Sequence, residues 1–93
     1  MYKISEETYK IAKVHNLIIK PSPKGNYKLD VYDINNKYIC SVGDVRYLDF
    51  HLYKKIKGEK VANDKRILYH KRHHKDIIIG SLNRGSLAAL LLW

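Results

Sequence analysis

Two stretches of strict alternation, meeting at a pair of asparagines, constrain this chain more than any other feature. Residues Asn26 to Asp33, NYKLDVYD, place Tyr27, Leu29 and Val31 on one side and Lys28, Asp30 and Tyr32 on the other. A period of two is the signature of a half-buried strand, because successive side chains of an extended backbone point to opposite faces. Asn35-Asn36 then supply residues that tolerate positive φ, and Lys37 to Val42, KYICSV, alternates again with Tyr38, Cys40 and Val42 on the inner side. The pattern predicts a β-hairpin that ends at Gly43-Asp44.

The flanking segments read less regularly. Ser5 to His15 suits a short helix with Ser5 as N-cap, Glu6 and Glu7 in the first turn, and Tyr9, Ile11 and Ala12 on its buried side. Leu17-Ile18-Ile19 is a run of β-formers stopped by Lys20-Pro21-Ser22-Pro23-Lys24-Gly25, whose prolines lack backbone donors and bias their predecessors toward extended geometry; this reads as a rigid, basic connector. Arg46 to Lys55 fits two templates. Tyr47, Phe50 and Tyr53 recur at helical spacing, whereas Tyr47, Asp49, His51 and Tyr53 line one side of a strand; a third strand is the expectation.

Residues 60–74 turn helical, with Val61, the Lys65 stem, Ile67 and Leu68 facing inward and the cations outward. Ile77-Ile78-Ile79 is β-forming and Gly80 breaks it. Ser86 is expected to cap a terminal helix carrying Leu87, Leu90 and Leu91 and ending at Trp93. Because residues 87–93 include no polar side chain, this segment is expected to be covered, either within the chain or by a neighbour. The expected architecture is a small single α+β domain over residues 1–93: an N-terminal helix over 1–16, strands and hairpin over 17–59, then the basic helix and the apolar helix over 60–93.

With 93 residues, the chain is long enough for a modest core and short for a large enclosed pocket, which directs attention to its surface. It carries 18 Lys+Arg against 9 Asp+Glu, a formal charge of +9 and a pI near 9.7, values that point to an acidic partner. The lone cysteine, Cys40, has no internal disulfide partner and fits a reducing compartment. No run approaches the roughly 20 apolar residues of a membrane-spanning helix.

The charge is concentrated in KRILYHKRHHK. Lys65, Arg66, Lys71, Arg72 and Lys75 lie there with His70, His73 and His74, while Asp64 and Asp76 stand only at its borders. The candidate partner-binding residues are therefore Lys65, Arg66, His70, Lys71, Arg72, His73 and Lys75, and the candidate interface residues are Leu87, Leu90, Leu91 and Trp93. Cations on one helix face neutralise phosphates and release counterions, which makes nucleic acid one candidate ligand; an acidic protein face is the other. His70 and His74, at i and i+4, could share a helix face toward zinc, but a closed site needs four ligands and adjacent cations repel a divalent ion, so no metal is expected.

Catalytic constellations are poor. Cys40 with a histidine would be the nucleophile pair and Asp49 beside His51 would orient a base, but Cys40 alternates on the inner hairpin side, where cysteine behaves as a small apolar residue. There is no glycine-rich phosphate loop or nucleophile elbow. A non-enzymatic protein without cofactor is expected.

Residues 17–93 resemble a family of small basic proteins encoded by large eukaryotic DNA viruses. The resemblance is carried by the basic Pro21-Ser22-Pro23 step leading to Tyr27, the hairpin, Gly43, Tyr47 with Asp49-Phe50, Arg72-His73, Gly80 or Gly85, Ser86 and Leu91-Leu92-Trp93. The histidine expected three residues after the Asp-aromatic step instead follows it directly as His51, with Tyr53 in the expected place. The resemblance implies a viral, non-enzymatic role as a structural or interaction component of the particle. Its expected partners are nucleic acid, acidic viral proteins, capsid neighbours or further copies of itself. The expected location is the virion or the host cytoplasm at the virus factory.

Overall fold

A computed structural model describes residues 2–78 and 81–93. It is an α+β structure with a three-stranded antiparallel sheet and, among the described residues, four helices. The chain divides into two compact units, Met1–Arg46 and Tyr47–Trp93.

The first unit opens with α1, Glu6–Val14, capped as expected by Ser5, whose hydroxyl accepts from the Thr8 N–H at 3.2 Å. Its buried side is Thr8 and Ala12, while Tyr9 is exposed. The threonine is retained in the interior because its Oγ1 lies 2.9 Å from Ser5 Oγ, so burial leaves no orphaned hydroxyl. Three strands follow, β1 Ile18–Pro21, β2 Tyr27–Tyr32 and β3 Tyr38–Asp44, ordered β1-β2-β3 with β2 central.

The hairpin is β2–β3, in the predicted place. Asp33 Oδ1 accepts from the N–H groups of both Asn35 and Lys37 at 2.9 Å, and Asn36 takes φ 65°, the left-handed conformation that asparagine tolerates. Two details differ from expectation. The strand runs on through Gly43 to Asp44, and a bulge between the Val31 and Tyr32 pairs leaves Tyr38 exposed. Beyond the strand, Arg46 grips Asp44 in a fork (Nε–Oδ1 3.1 Å, Nη2–Oδ2 2.8 Å) and holds its carboxyl at about 2, so what this pair contributes is present above the ordinary carboxylate range and is lost as pH falls through about 2.

The third strand is β1, not the segment after the hairpin. Ile18 pairs with Tyr32, Lys20 with Asp30 and Pro21 with Leu29, so the connector contributes an edge strand, a position where a proline's missing donor costs no ladder bond. The sheet buries Ile19, Leu29, Val31 and Val42 on the side predicted to be inner. Its other side is not solvated as expected: Lys28, Asp30 and Ser41 are also buried.

The second unit starts where a strand was expected and forms a helix instead. Asp49 is fully buried, and its carboxylate accepts from the Leu52 N–H at 3.0 Å, so α2 runs Phe50–Lys57 with Phe50 buried. That N-cap, together with the 47/50/53 spacing, decides between the two templates that residues 46–55 fit. A single residue, Gly58, separates α2 from α3, Glu59–His73. Gly58 sits at φ 93°, ψ 166°, a region essentially reserved for glycine. Nothing lies within 4 Å of a Cβ built there, so Gly58→Ala is expected to cost about 1–3 kcal/mol through backbone strain alone. Denaturant titration measures this; an unchanged midpoint would mean that the connection can adopt another path.

The terminal helix α4 is Arg84–Leu92. Its cap is Asn83, not Ser86: Asn83 Oδ1 accepts from the Ser86 N–H at 2.7 Å. Ser86 instead holds the incoming segment, accepting from the Ile78 N–H at 2.7 Å and donating to the Ile78 carbonyl at 3.0 Å. Gly85 is required by close approach, since an added Cβ would stand 2.8 Å from Asp76 Cβ. Ile77 and Ile78 form no strand, and residues 79 and 80 of that predicted run and break lie outside the described residues.

Candidate functional site

Helix α3 sorts its residues differently from expectation. Ala62, Arg66, Tyr69, His70 and His73 make the covered stripe, whereas Val61, Ile67 and Leu68 are exposed, Ile67 by 65% and Leu68 by 50%. The inward stripe at i, i+4, i+7, i+8 and i+11 is a regular helical face. It half-covers planar groups where aliphatic ones were expected because the rest of the unit supplies partners for them. The Arg66 guanidinium lies 3.4 Å from the Phe50 ring centroid, and its Nε donates to the Trp93 carbonyl oxygen at 2.8 Å. His70 Nε2 is 3.3 Å from the same oxygen and acts as a donor there.

Tyr69 lies between two rings, stacked on Trp93 (centroids 4.7 Å, planes 9° apart) and tilted against His73 at 4.4 Å. Burial pushes its phenol pKa up, with the nearby Asp76 carboxylate adding to the effect. Lys65 Nζ stands 5.8 Å over the Tyr53 ring, which in turn tilts against Trp93.

The seven residues proposed from the sequence therefore divide. Arg66, His70 and His73 lie half-covered on the inward side of α3, each with a contact inside the unit. Lys65, Lys71, Arg72 and Lys75 remain on the exposed side. Among the described residues, none of these four forms an ion pair with a carboxylate; the carboxylate of the segment, Asp76, lies 3.8 Å from His73 instead. Lys71 and Arg72 also occupy the last turn, where positive charge complements the helix dipole, a structural contribution of about 0.3–1 kcal/mol each. That contribution accounts for charge near the C-terminal turn but not for Lys65, two turns earlier.

Residues 47–93 carry ten Lys and Arg against four Asp and Glu, which assigns six of the nine net positive charges to the second unit. On the exposed face of α3, Val61, Lys65, Leu68 and Arg72 fall at steps of four, three and four, so cations and aliphatic side chains share one stripe, and Lys75 follows in the turn beyond the helix. Of the residues proposed as an interface, Leu87 and Leu91 are buried within the structure and are corrected to core. Leu90 and Trp93 are half-covered. The three histidines near the helix end do not converge: His74 Nδ1 bonds the Lys71 carbonyl at 3.0 Å, and no group of three His, Cys, Asp or Glu side chains among the described residues is arranged to hold a metal ion.

The first unit carries a second polar cluster that sequence reasoning missed. Asp30 and Ser41 face each other across β2 and β3, 5% and 1% exposed, and Ser41 Oγ donates to Asp30 Oδ1 at 2.5 Å. Tyr38 Oη is 2.7 Å from Ser41 Oγ, and Lys24 Nζ reaches Tyr38 Oη at 3.1 Å and Ser41 Oγ at 3.4 Å. The bonds from Ser41 and then Lys24 pull the phenol of Tyr38 below its ordinary pKa, and the bond to Tyr38 raises that of Lys24. Lys24 also lines an open cavity of about 460 Å³ with Tyr2, Pro23 and Tyr27. The cross-strand pairing of Asp30 with Ser41 follows from the hairpin register and was the one signal available in the sequence.

Comparison with protein-family models, curated proteins and solved structures finds no match to this chain. No described helix is long and apolar enough to cross a membrane.

Proposed function

We propose that this is a non-enzymatic interaction protein that binds an acidic protein surface through the outer face of α3, acting as a minor structural component of a viral particle. The observation that carries the binding reading is the exposed stripe in which Lys65 and Arg72 alternate with Val61 and Leu68, with Lys75 exposed just past the helix end. Cations without local carboxylate partners attract an anionic surface. Exposed aliphatic groups between them gain only from a partner that also has apolar area to bury, which a phosphate backbone lacks. The viral role rests on the resemblance of residues 17–93, and absence of the protein from purified particles would overturn it.

The partner class is tested with three probes over a salt series: an acidic amphipathic helical peptide, polyglutamate and duplex DNA. The amphipathic peptide is expected to bind about tenfold more tightly than polyglutamate, a difference of about 1.4 kcal/mol matching partial burial of one leucine side chain. Leu68→Ser should erase that difference while leaving polyglutamate binding in place. If DNA is instead the tightest ligand, with log K falling against log salt at a slope of about −3 to −4 as four neutralised phosphates require, the partner is nucleic acid.

A further inference from the structure

Tyr38, Ser41, Asp30 and Lys24 form a directional chain. Ser41 has a single proton, and it is committed to Asp30. Ser41 Oγ therefore serves as an acceptor toward Tyr38, so the phenol O–H donates to it, while Lys24 donates to the phenol oxygen from the other side. A proton leaving Tyr38 has a path to a buried carboxylate through one hydroxyl, and the phenolate left behind has an ammonium at 3.1 Å. The oxygen so prepared is not enclosed, because Tyr38 is 45% exposed.

We propose that Tyr38 is a nucleophilic tyrosine, an acceptor of acyl groups from activated donors, with Lys24 and the Ser41–Asp30 pair as its activating partners. In the transfer, the phenol oxygen forms a bond to the acyl carbon, and the bond from that carbon to the leaving group breaks with its electron pair. The phenol proton passes to Ser41 as the serine proton passes to Asp30. The proton returns from Asp30 to Ser41 as Ser41 protonates the departing group, which restores the carboxylate. Positioning of a proton acceptor and of a cation beside the developing charge is what distinguishes this hydroxyl from an ordinary surface tyrosine.

The chain contains its own control. Tyr9, on α1, is 46% exposed, matching Tyr38 in access. Treating the full chain with N-acetylimidazole at neutral pH and mapping hydroxylamine-reversible acetyl groups by mass spectrometry compares the two directly. Tyr38 is expected to acetylate about tenfold or more faster than Tyr9, the low end of what a positioned proton acceptor contributes. Its rate should also begin to rise below the pH range of an ordinary phenol. Lys24→Met, on an exposed side chain, should lower the Tyr38 rate severalfold without altering the circular dichroism of the chain. Ser41→Ala should bring the rate to that of Tyr9, but because it strands a buried carboxylate, the lysine variant decides the matter if Ser41→Ala does not fold. Equal rates at Tyr38 and Tyr9, or a folded Lys24→Met chain with an unchanged Tyr38 rate, would overturn the proposal.

Discussion

Leu91→Ala should destabilise the protein by about 2–5 kcal/mol, the range for emptying a leucine site in a packed interior. Leu91 is fully buried and lies in α4 with Leu87 and Leu92, which are equally enclosed. A loss of that size is a large fraction of the roughly 5–15 kcal/mol by which a domain is held folded, so the variant should show a visibly lower denaturation midpoint. The same experiment separates core from interface. An interface leucine would leave the stability of the isolated chain unchanged and weaken only association, whereas the structure requires the isolated chain itself to weaken. A truncation lacking residues 90–93 that stays soluble and fully folded would contradict the account for the same reason.

Arg66→Met is expected to cost about 2 kcal/mol although it removes a cation from a strongly cationic segment. The guanidinium forms one charge-assisted hydrogen bond to the Trp93 oxygen and lies face-on to Phe50. Losing a charged hydrogen bond and a partly desolvated cation–aromatic contact each cost on the order of 1–2 kcal/mol, offset in part by the relief of like-charge repulsion. Methionine retains the apolar stem, so the change isolates the planar group. Trp93 reports the result independently: with its carbonyl released, its emission should shift to the red. Arg66→Lys keeps the charge but loses the flat fork, and it should recover less than half of the loss. A neutral or stabilising effect of Arg66→Met would mean that Arg66 belongs to the binding surface after all.

Those two residues also show what was legible before the coordinates. The hairpin was, because a period of two admits one register and Asn36 marks the turn. The caps at Ser5 and the burial of Leu87 and Leu91 followed from local chemistry and from the absence of any polar residue over 87–93. Residues 46–55 were not legible, since their apolar positions satisfy both periods and only the enclosed Asp49 cap selects the helix. Helix α3 was misread in a more instructive way. Aliphatic residues were placed inside and the cations outside, yet Arg66 and the flat rings of Tyr69, His70 and His73, with stacking partners and an acceptor oxygen, take the inward side in their stead. Whether an arginine faces in or out depends on a partner 27 residues away, which no window along the chain contains. The Lys24–Tyr38–Ser41–Asp30 cluster was hidden similarly, with a bulge shifting Tyr38 out of the simple alternation.

The account depends on the outer face of α3 being where the acidic partner sits, and lysine footprinting reads that directly. With the acidic amphipathic peptide bound, acetylation of Lys65, Lys71 and Lys75 should fall severalfold, while Lys10 and Lys13 on α1 react as they do in the free protein. Protection spread evenly over the lysines, or concentrated on Lys10, Lys13 and Lys37 in the first unit, would contradict it.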